Sequence, residues 1–154
     1  MNPDESTDFD RLVRELQREI ARREQELYSE TVLREARNPQ NMGSLPDADL
    51  YGAVRGWCGD SMEIYMRLNG GAIEEVSFTT DGCGATLACG SMLTQMLTGM
   101  TLADAEWVLP EDLVQALDGL PEENMHCAGL AVSTLHNALF NWHVAEMEQQ
   151  GEED

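Results

Sequence analysis

Three cysteines stand where thiolate chemistry is possible, each beside glycine or histidine and far from the others along the chain. Gly56-Trp57-Cys58-Gly59-Asp60 places a thiol and a carboxylate two residues apart in a glycine-flanked turn, and Gly82-Cys83-Gly84 and His126-Cys127 follow at wide intervals. Cysteine reactivity and metal affinity both belong to the thiolate, so the useful question is where a thiol loses its proton near neutral pH. Cys83 lies just before an expected helix and Cys127 falls in the first turn of another, where unpaired amides and the helix dipole favour negative charge. His126 can be a further ligand, or can stabilise a thiolate when protonated. Thiolates joined by one His or Asp suit zinc or an iron-sulfur cluster. No C-x-x-C pair clamps a metal locally, which speaks against a permanent structural site. Three thiolates with one oxygen or nitrogen ligand also fall short of the four cysteines that hold a stable 2Fe-2S cluster, a deficit that suits a cluster built and given away. The alternative for the same residues is a set of isolated, buried or redox-inert cysteines.

The remaining candidates read as structural. Cys89 sits two turns into the helix after Cys83, among Leu87, Ala88 and Met92, and is expected to be a small buried residue, with a resolving thiol or auxiliary persulfide carrier as the alternative. His136 and His143 have no cysteine nearby in sequence and are expected at the surface or at helix ends. The nine methionines fit packing better than copper ligation.

Several elements must position these residues. From Asp10 to about Arg37, Leu12, Leu16, Ile20 and Leu27 recur at helical spacing, which predicts an amphipathic arm, one helix or two broken near Tyr28-Ser29. It is expected to pack on the body of the chain or to mediate self-association, with docking to another protein as the sharper alternative. Asn38 to Gly43 stops it. The period then becomes two: Met62, Ile64, Met66 and Leu68 alternate with polar residues, Asn69-Gly70-Gly71 supplies a tight turn, and Ala72 to Thr80 returns as a second strand. Gly52 to Trp57 adds a short third strand. Helices are expected from Gly84 to Thr98, after Thr101, from Pro110, and from near Asn124, the last fading into the acidic end. The order predicts an α+β fold: a small three-stranded antiparallel sheet covered by helices on one side, with an extra N-terminal helical arm.

At 154 residues the chain is long enough to fold without a disulfide or metal staple. Its formal charge of -20 comes from 29 acids against nine arginines, with no lysine. Nucleic acid and anionic membrane, which require a basic surface, are therefore excluded as partners. Residues 1 to 37 hold seven of the arginines, leaving only Arg55 and Arg67 in the rest. No run approaches the roughly 18 apolar residues that span a bilayer, and no export signal opens the chain, so a cytoplasmic location is expected.

These residues resemble the IscU/NifU family of iron-sulfur cluster assembly scaffolds, a NifU-like N-terminal domain. The match runs from about Tyr28 to Trp142 through Asn38-Pro39 with Asn41 and Gly43, Cys58-Gly59-Asp60, Gly82-Cys83-Gly84, and Leu120-Pro121 leading to His126-Cys127. The resemblance implies that family's fold, shared with the SufE type, for a scaffold domain over 28–145; outside it, an extension over 1–27 is expected to be disordered through residue 9 and then an amphipathic helix, and 146–154 to be an acidic tail. It implies assembly of a transient 2Fe-2S cluster on Cys58, Cys83 and Cys127, with His126 and Asp60 as exchangeable ligands. Cys127 becomes the persulfide acceptor, Asp60 the residue that keeps the cluster labile, and Zn2+ an occupant of the same site. The implied partners are a cysteine desulfurase of the IscS/NifS type, an iron donor, a ferredoxin, and apo iron-sulfur proteins or a carrier. An Hsp70-type chaperone is disfavoured, because the family's Leu-Pro-Pro-Val-Lys is here Leu120-Pro121 followed by Glu122, Glu123 and Asn124. Two competing readings are a zinc-bound sulfurtransferase of the SufU type with Cys58 carrying persulfide, and a thiol redox protein using Cys83 and Cys89.

Overall fold

The computed structural model describes residues 3–153, with side chains for 7–151. Helices α1 (Pro3–Leu27) and α2 (Glu30–Arg37) precede strands β1 (Leu50–Arg55), β2 (Ser61–Asn69) and β3 (Ala72–Thr80). Helices α3 (Gly84–Leu97), α4 (Leu102–Ala105) and α5 (Pro110–Ala116), a 3-10 turn at Glu122–Asn124 and the long α6 (Met125–Glu153) complete the chain. The sheet is antiparallel in the order β1-β2-β3, and the α+β expectation holds.

Met62, Ile64 and Met66 turn to the helices as their alternation requires, and β3 answers with Val76 and Phe78. The strands pair Met66 with Val76 but Leu68 with Ile73, so one extra residue bulges out of β3. That bulge brings Ile73 onto the buried face beside Val76, which strict alternation does not anticipate. Two glycines let the helices close in. A Cβ on Gly52 would stand 2.5 Å from the Ala138 amide nitrogen of α6, and one on Gly90 of α3 would stand 2.3 Å from the Phe78 ring. The segment that stops α2 does more than turn: the Phe78 amide donates to the Asn41 carbonyl, and the Gly43 amide to that of Phe78, covering the open edge of β3.

Helix α2 is fixed to α3 by a buried carboxylate. Glu35, 5% exposed, accepts hydrogen bonds from the Ser91 hydroxyl at 2.6 Å and the Gln95 amide at 2.8 Å, so its charge is satisfied where it would otherwise be costly. Ser29 caps α2 and donates to the Leu117 carbonyl at 2.5 Å.

The arm differs from its expectation in two ways. It is helical from Pro3, whose missing amide costs nothing at a helix start, whereas an irregular stretch was expected to Phe9; Met1 and Asn2 lie outside the described residues. It also does not pack on the body. Phe9, Leu12, Leu16, Ile20 and Leu27 remain exposed, because the break at Tyr28-Ser29 directs α1 away and leaves it meeting the rest chiefly through α2. At the other end α6 continues to Glu153 rather than fading, as its glutamates and glutamines favour helix; Asp154 lies outside the described residues. Among the described residues no helix is long and apolar enough to cross a membrane.

Candidate functional site

All three cysteine motifs come to one end of the sheet. The β1–β2 connection is a tight loop: the Gly56 amide donates to the Asp60 carbonyl at 2.7 Å, and the Gly59 amide returns to Gly56 at 3.0 Å. Gly59 takes φ +95°, a conformation that favours glycine. Cys58 is exposed at its tip and Asp60 is half-buried at its base. Trp57 projects beside them, 88% exposed, with its ring centroid 5.4 Å from that of His126. Thus the loop that carries Cys58 reaches the first turn of α6, across a cavity of about 270 Å³ shared by Trp57, Cys58, His126 and Leu130.

The second motif is tied to the first through the strand ends. The Ser61 amide donates to the Asp81 carboxylate at 2.7 Å, and the Thr80 hydroxyl to the Ser61 carbonyl at 2.6 Å. Cys83 follows as the residue that opens α3, with extended backbone and an exposed thiol. Partial burial works to raise this thiol's pKa. The Thr86 and Ala85 amides and the Thr86 hydroxyl around the sulfur outweigh it, and the net shift is downward.

Cys127, the third residue of α6, is fully buried, and that burial pushes its thiol upward. The Thr86 hydroxyl donates to its sulfur at 3.4 Å and stands 3.6 Å from that of Cys83. The His126 Nε2 lies 3.7 Å from the Cys127 sulfur. Two neighbouring thiols are therefore displaced in opposite directions, which makes Cys83 the easier thiolate and Cys127 the protected one.

Helix starts and glycine flanks made the cysteines legible, but three companions were not. Thr86 is wholly buried between two sulfurs; its only signal in the sequence is a polar residue three places after Cys83 in an apolar helix. Tyr28, at the joint of α1 and α2, donates to the Asn124 side chain at 3.1 Å. Its phenol is raised by burial and then by Cys83, Glu123 and Cys127, which places it at the same end. Together with Glu24, Ala36, Arg37 and Cys83 it lines a cavity of about 250 Å³. Trp57 against His126 is the third.

What is not brought together is equally plain. Among the described residues no three His, Cys, Asp or Glu side chains stand as a ready-made metal cluster. Cys83, Cys127 and His126 form one part, and the loop of Cys58 and Asp60 faces it. Cys89 is sealed in the core, its thiol pushed far up by burial, and is no partner for Cys83 in redox exchange. His136 is bonded to the Val108 carbonyl at 3.1 Å and His143 to the Glu106 carboxylate, so both are engaged outside the site.

Comparison with known proteins points the same way. Residues 27–149 match the family model described as the NifU-like N terminal domain. The chain is 38% identical over 117 residues to the iron-sulfur cluster assembly scaffold protein IscU 1 of Archaeoglobus fulgidus, covering 75% of this chain and 76% of that protein. It is 33% identical over 122 residues to IscU of Escherichia coli, with 75% and 93% covered. Among solved structures, a NifU-like N-terminal protein of Brucella abortus superposes with a TM-score of 0.60 at 15% identity, over 75% of this chain and 93% of that one. A protein of Fervidobacterium islandicum, described as a scaffold for the SUF system, gives 0.57 at 20% identity, over 73% and 96%. These two likenesses establish the fold.

Proposed function

This chain belongs to the NifU-like N-terminal domain family of iron-sulfur cluster assembly scaffolds, and from that premise we propose that it builds a labile 2Fe-2S cluster and passes it to apo-proteins. The observation that carries the reading is the end of the sheet where Cys83 and Cys127 share one hydroxyl and the Cys58 loop closes on His126. Thiolates of Cys58, Cys83 and Cys127 supply the soft ligands. His126 and Asp60 complete the set, and the harder carboxylate oxygen keeps the cluster removable. In this reading the scaffold body spans 28–145, the arm precedes it, and 146–154 is an acidic end.

Sulfur arrives as the outer atom of a persulfide on a cysteine desulfurase. A scaffold thiolate attacks that atom, the S–S bond to the donor breaks, and the donor leaves as thiolate. Each bound sulfane sulfur needs two electrons to become sulfide, and for two sulfurs the two ferrous ions supply two as they become ferric while a ferredoxin-class reductant supplies the other two. Cys127 is the acceptor we assign. Being wholly buried, it must be uncovered first, while Cys58 and Cys83 are the sulfurs an incoming donor meets from solvent.

The test is anaerobic reconstitution with ferrous iron, cysteine, a cysteine desulfurase and a reduced ferredoxin. Visible charge-transfer absorption with equal iron and sulfide is expected, and on adding an apo-ferredoxin the chromophore should leave this chain and reappear on the acceptor. Tight stoichiometric zinc with persulfide turnover and no chromophore would instead make the chain a zinc-bound sulfurtransferase.

A further inference from the structure

The chain's other buried threonine hydroxyls serve their own helices. Thr94 donates to the Ser91 carbonyl at 2.8 Å, and Thr134 to that of Leu130 at 2.7 Å. This is the ordinary way a helix satisfies such a group. Thr86, equally buried, does otherwise: its hydroxyl is directed at Cys127 across 3.4 Å and at Cys83 across 3.6 Å. The two sulfurs therefore stand no farther apart than those two contacts laid end to end. Gly82 makes the space, for a Cβ there would come within 2.7 Å of the Thr86 side chain. A hydroxyl has one proton and two lone pairs, so it can donate to one sulfur while accepting from the other thiol.

We propose that Thr86 is a positioning residue of this site, a bracket whose hydroxyl holds the Cys83 and Cys127 sulfurs face to face so that one thiophilic atom can bridge them. The proposal deepens the scaffold reading by naming what sets the geometry of two of its three thiols. A thiol pair carried by two different helices, α3 and α6, otherwise relies on helix packing alone for its alignment. Hydrogen bonds to ligating sulfur also tune how firmly a metal is held, so the same hydroxyl acts on the loaded site.

The probe is phenylarsine oxide, whose arsenic bridges two thiols: two As–S bonds form as the two S–H protons leave with the arsenic's oxygen as water, without iron, sulfide or reductant. Its affinity is measured by calorimetry on the full chain carrying Cys58→Ala, which leaves the exposed Cys83 and the buried Cys127, joined through Thr86, as the thiols of the site. Cys127 is uncovered as the arsenic binds, and Cys89 makes no hydrogen bond with Thr86 and stays in the core. Thr86→Val keeps the volume and Thr86→Ala reduces it, and both remove the hydroxyl. Each is expected to weaken binding about three- to tenfold, the worth of one neutral hydrogen bond. Thr86→Ser, which keeps the hydroxyl, is expected to stay within about twofold of the parent. Equal affinity in the parent and the two hydroxyl-free variants overturns the bracket, as does a loss in Thr86→Ser as large as theirs. If Thr86→Val is too poorly folded to measure, the pair of Thr86→Ala against Thr86→Ser decides. Because no cluster is involved, a null result here leaves the scaffold reading standing. A failed reconstitution beside an intact arsenical effect would remove that reading alone.

Discussion

Gly52→Ala is the perturbation that most directly couples the fold to the site. Its new Cβ would stand 2.5 Å from the Ala138 nitrogen, 2.7 Å from the Thr134 carbonyl oxygen and 2.8 Å from the Ala138 Cα. Carbon atoms pack at about 3.5–4.0 Å, so the shortfall is roughly 1 Å. All three obstacles are backbone, and no rotamer change relieves them; β1 and α6 must separate. Overpacking of this kind costs about 1–3 kcal/mol, here toward the upper end because backbone must move. The substitution also stiffens the unfolded chain, which returns about 0.4–1 kcal/mol. The cost wins, leaving a net loss of about 2 kcal/mol, or about 4–8 °C in Tm for a chain of this length. The same displacement parts the β1–β2 loop from the first turn of α6, so the Trp57 contact with His126 loosens as well. Gly129→Ala is the control: its Cβ meets nothing within 4 Å. Replacing a helix-interior glycine there should stabilise by about 0.5–1 kcal/mol. Urea unfolding of both variants, followed by circular dichroism, reads the result. A Gly52→Ala protein as stable as the parent would refute the close-approach argument.

Further outcomes follow from the same features. Asp60→Ala should lengthen the half-life of the reconstituted cluster under anaerobic chelation, whereas an unchanged or shorter lifetime denies Asp60 the labilising role. Alkylation of the native apo-protein at neutral pH, followed by peptide mass spectrometry, should modify Cys83 well before Cys127, matching the lowered thiol of the first and the burial of the second. Cys89 should react only on unfolding. Its folded pKa is raised, so the stability it contributes is present below the unfolded thiol value of about 8.5 and declines as pH climbs above it. Cys89→Ala should therefore flatten the alkaline limb of a stability-against-pH curve, and an unaltered limb would contradict that assignment. Leu16→Glu in the exposed stripe of α1 should change stability by less than about 0.5 kcal/mol in urea titration.

Local signals made the sheet readable. The period of two through Met62, Ile64 and Met66 and the turn at Asn69-Gly70-Gly71 leave one antiparallel arrangement. The bulge that turns Ile73 inward was not readable, since it depends on how β2 and β3 register over their whole length. Asn41 and Gly43 announced a turn but not that it would cover the edge of β3, a long-range pairing. The arm's amphipathic pattern was clear, yet periodicity does not say whether a stripe finds a partner, and here it remains exposed. In the site, cysteines flanked by glycine or histidine at element boundaries identified themselves. Thr86 and Tyr28 did not, nor outside the site did the buried Glu35, because each is held by a neighbour remote in sequence: Cys127, Asn124 and Ser91.

Sulfurs distributed over three connections are proposed to serve one removable cluster. An anaerobic crystal structure of the freshly loaded chain tests it most directly. The Sγ atoms of Cys58, Cys83 and Cys127 are expected all to ligate the same 2Fe-2S unit, with His126 or Asp60 in the remaining position. A cluster or metal that leaves any one of those three sulfurs unbound would contradict it.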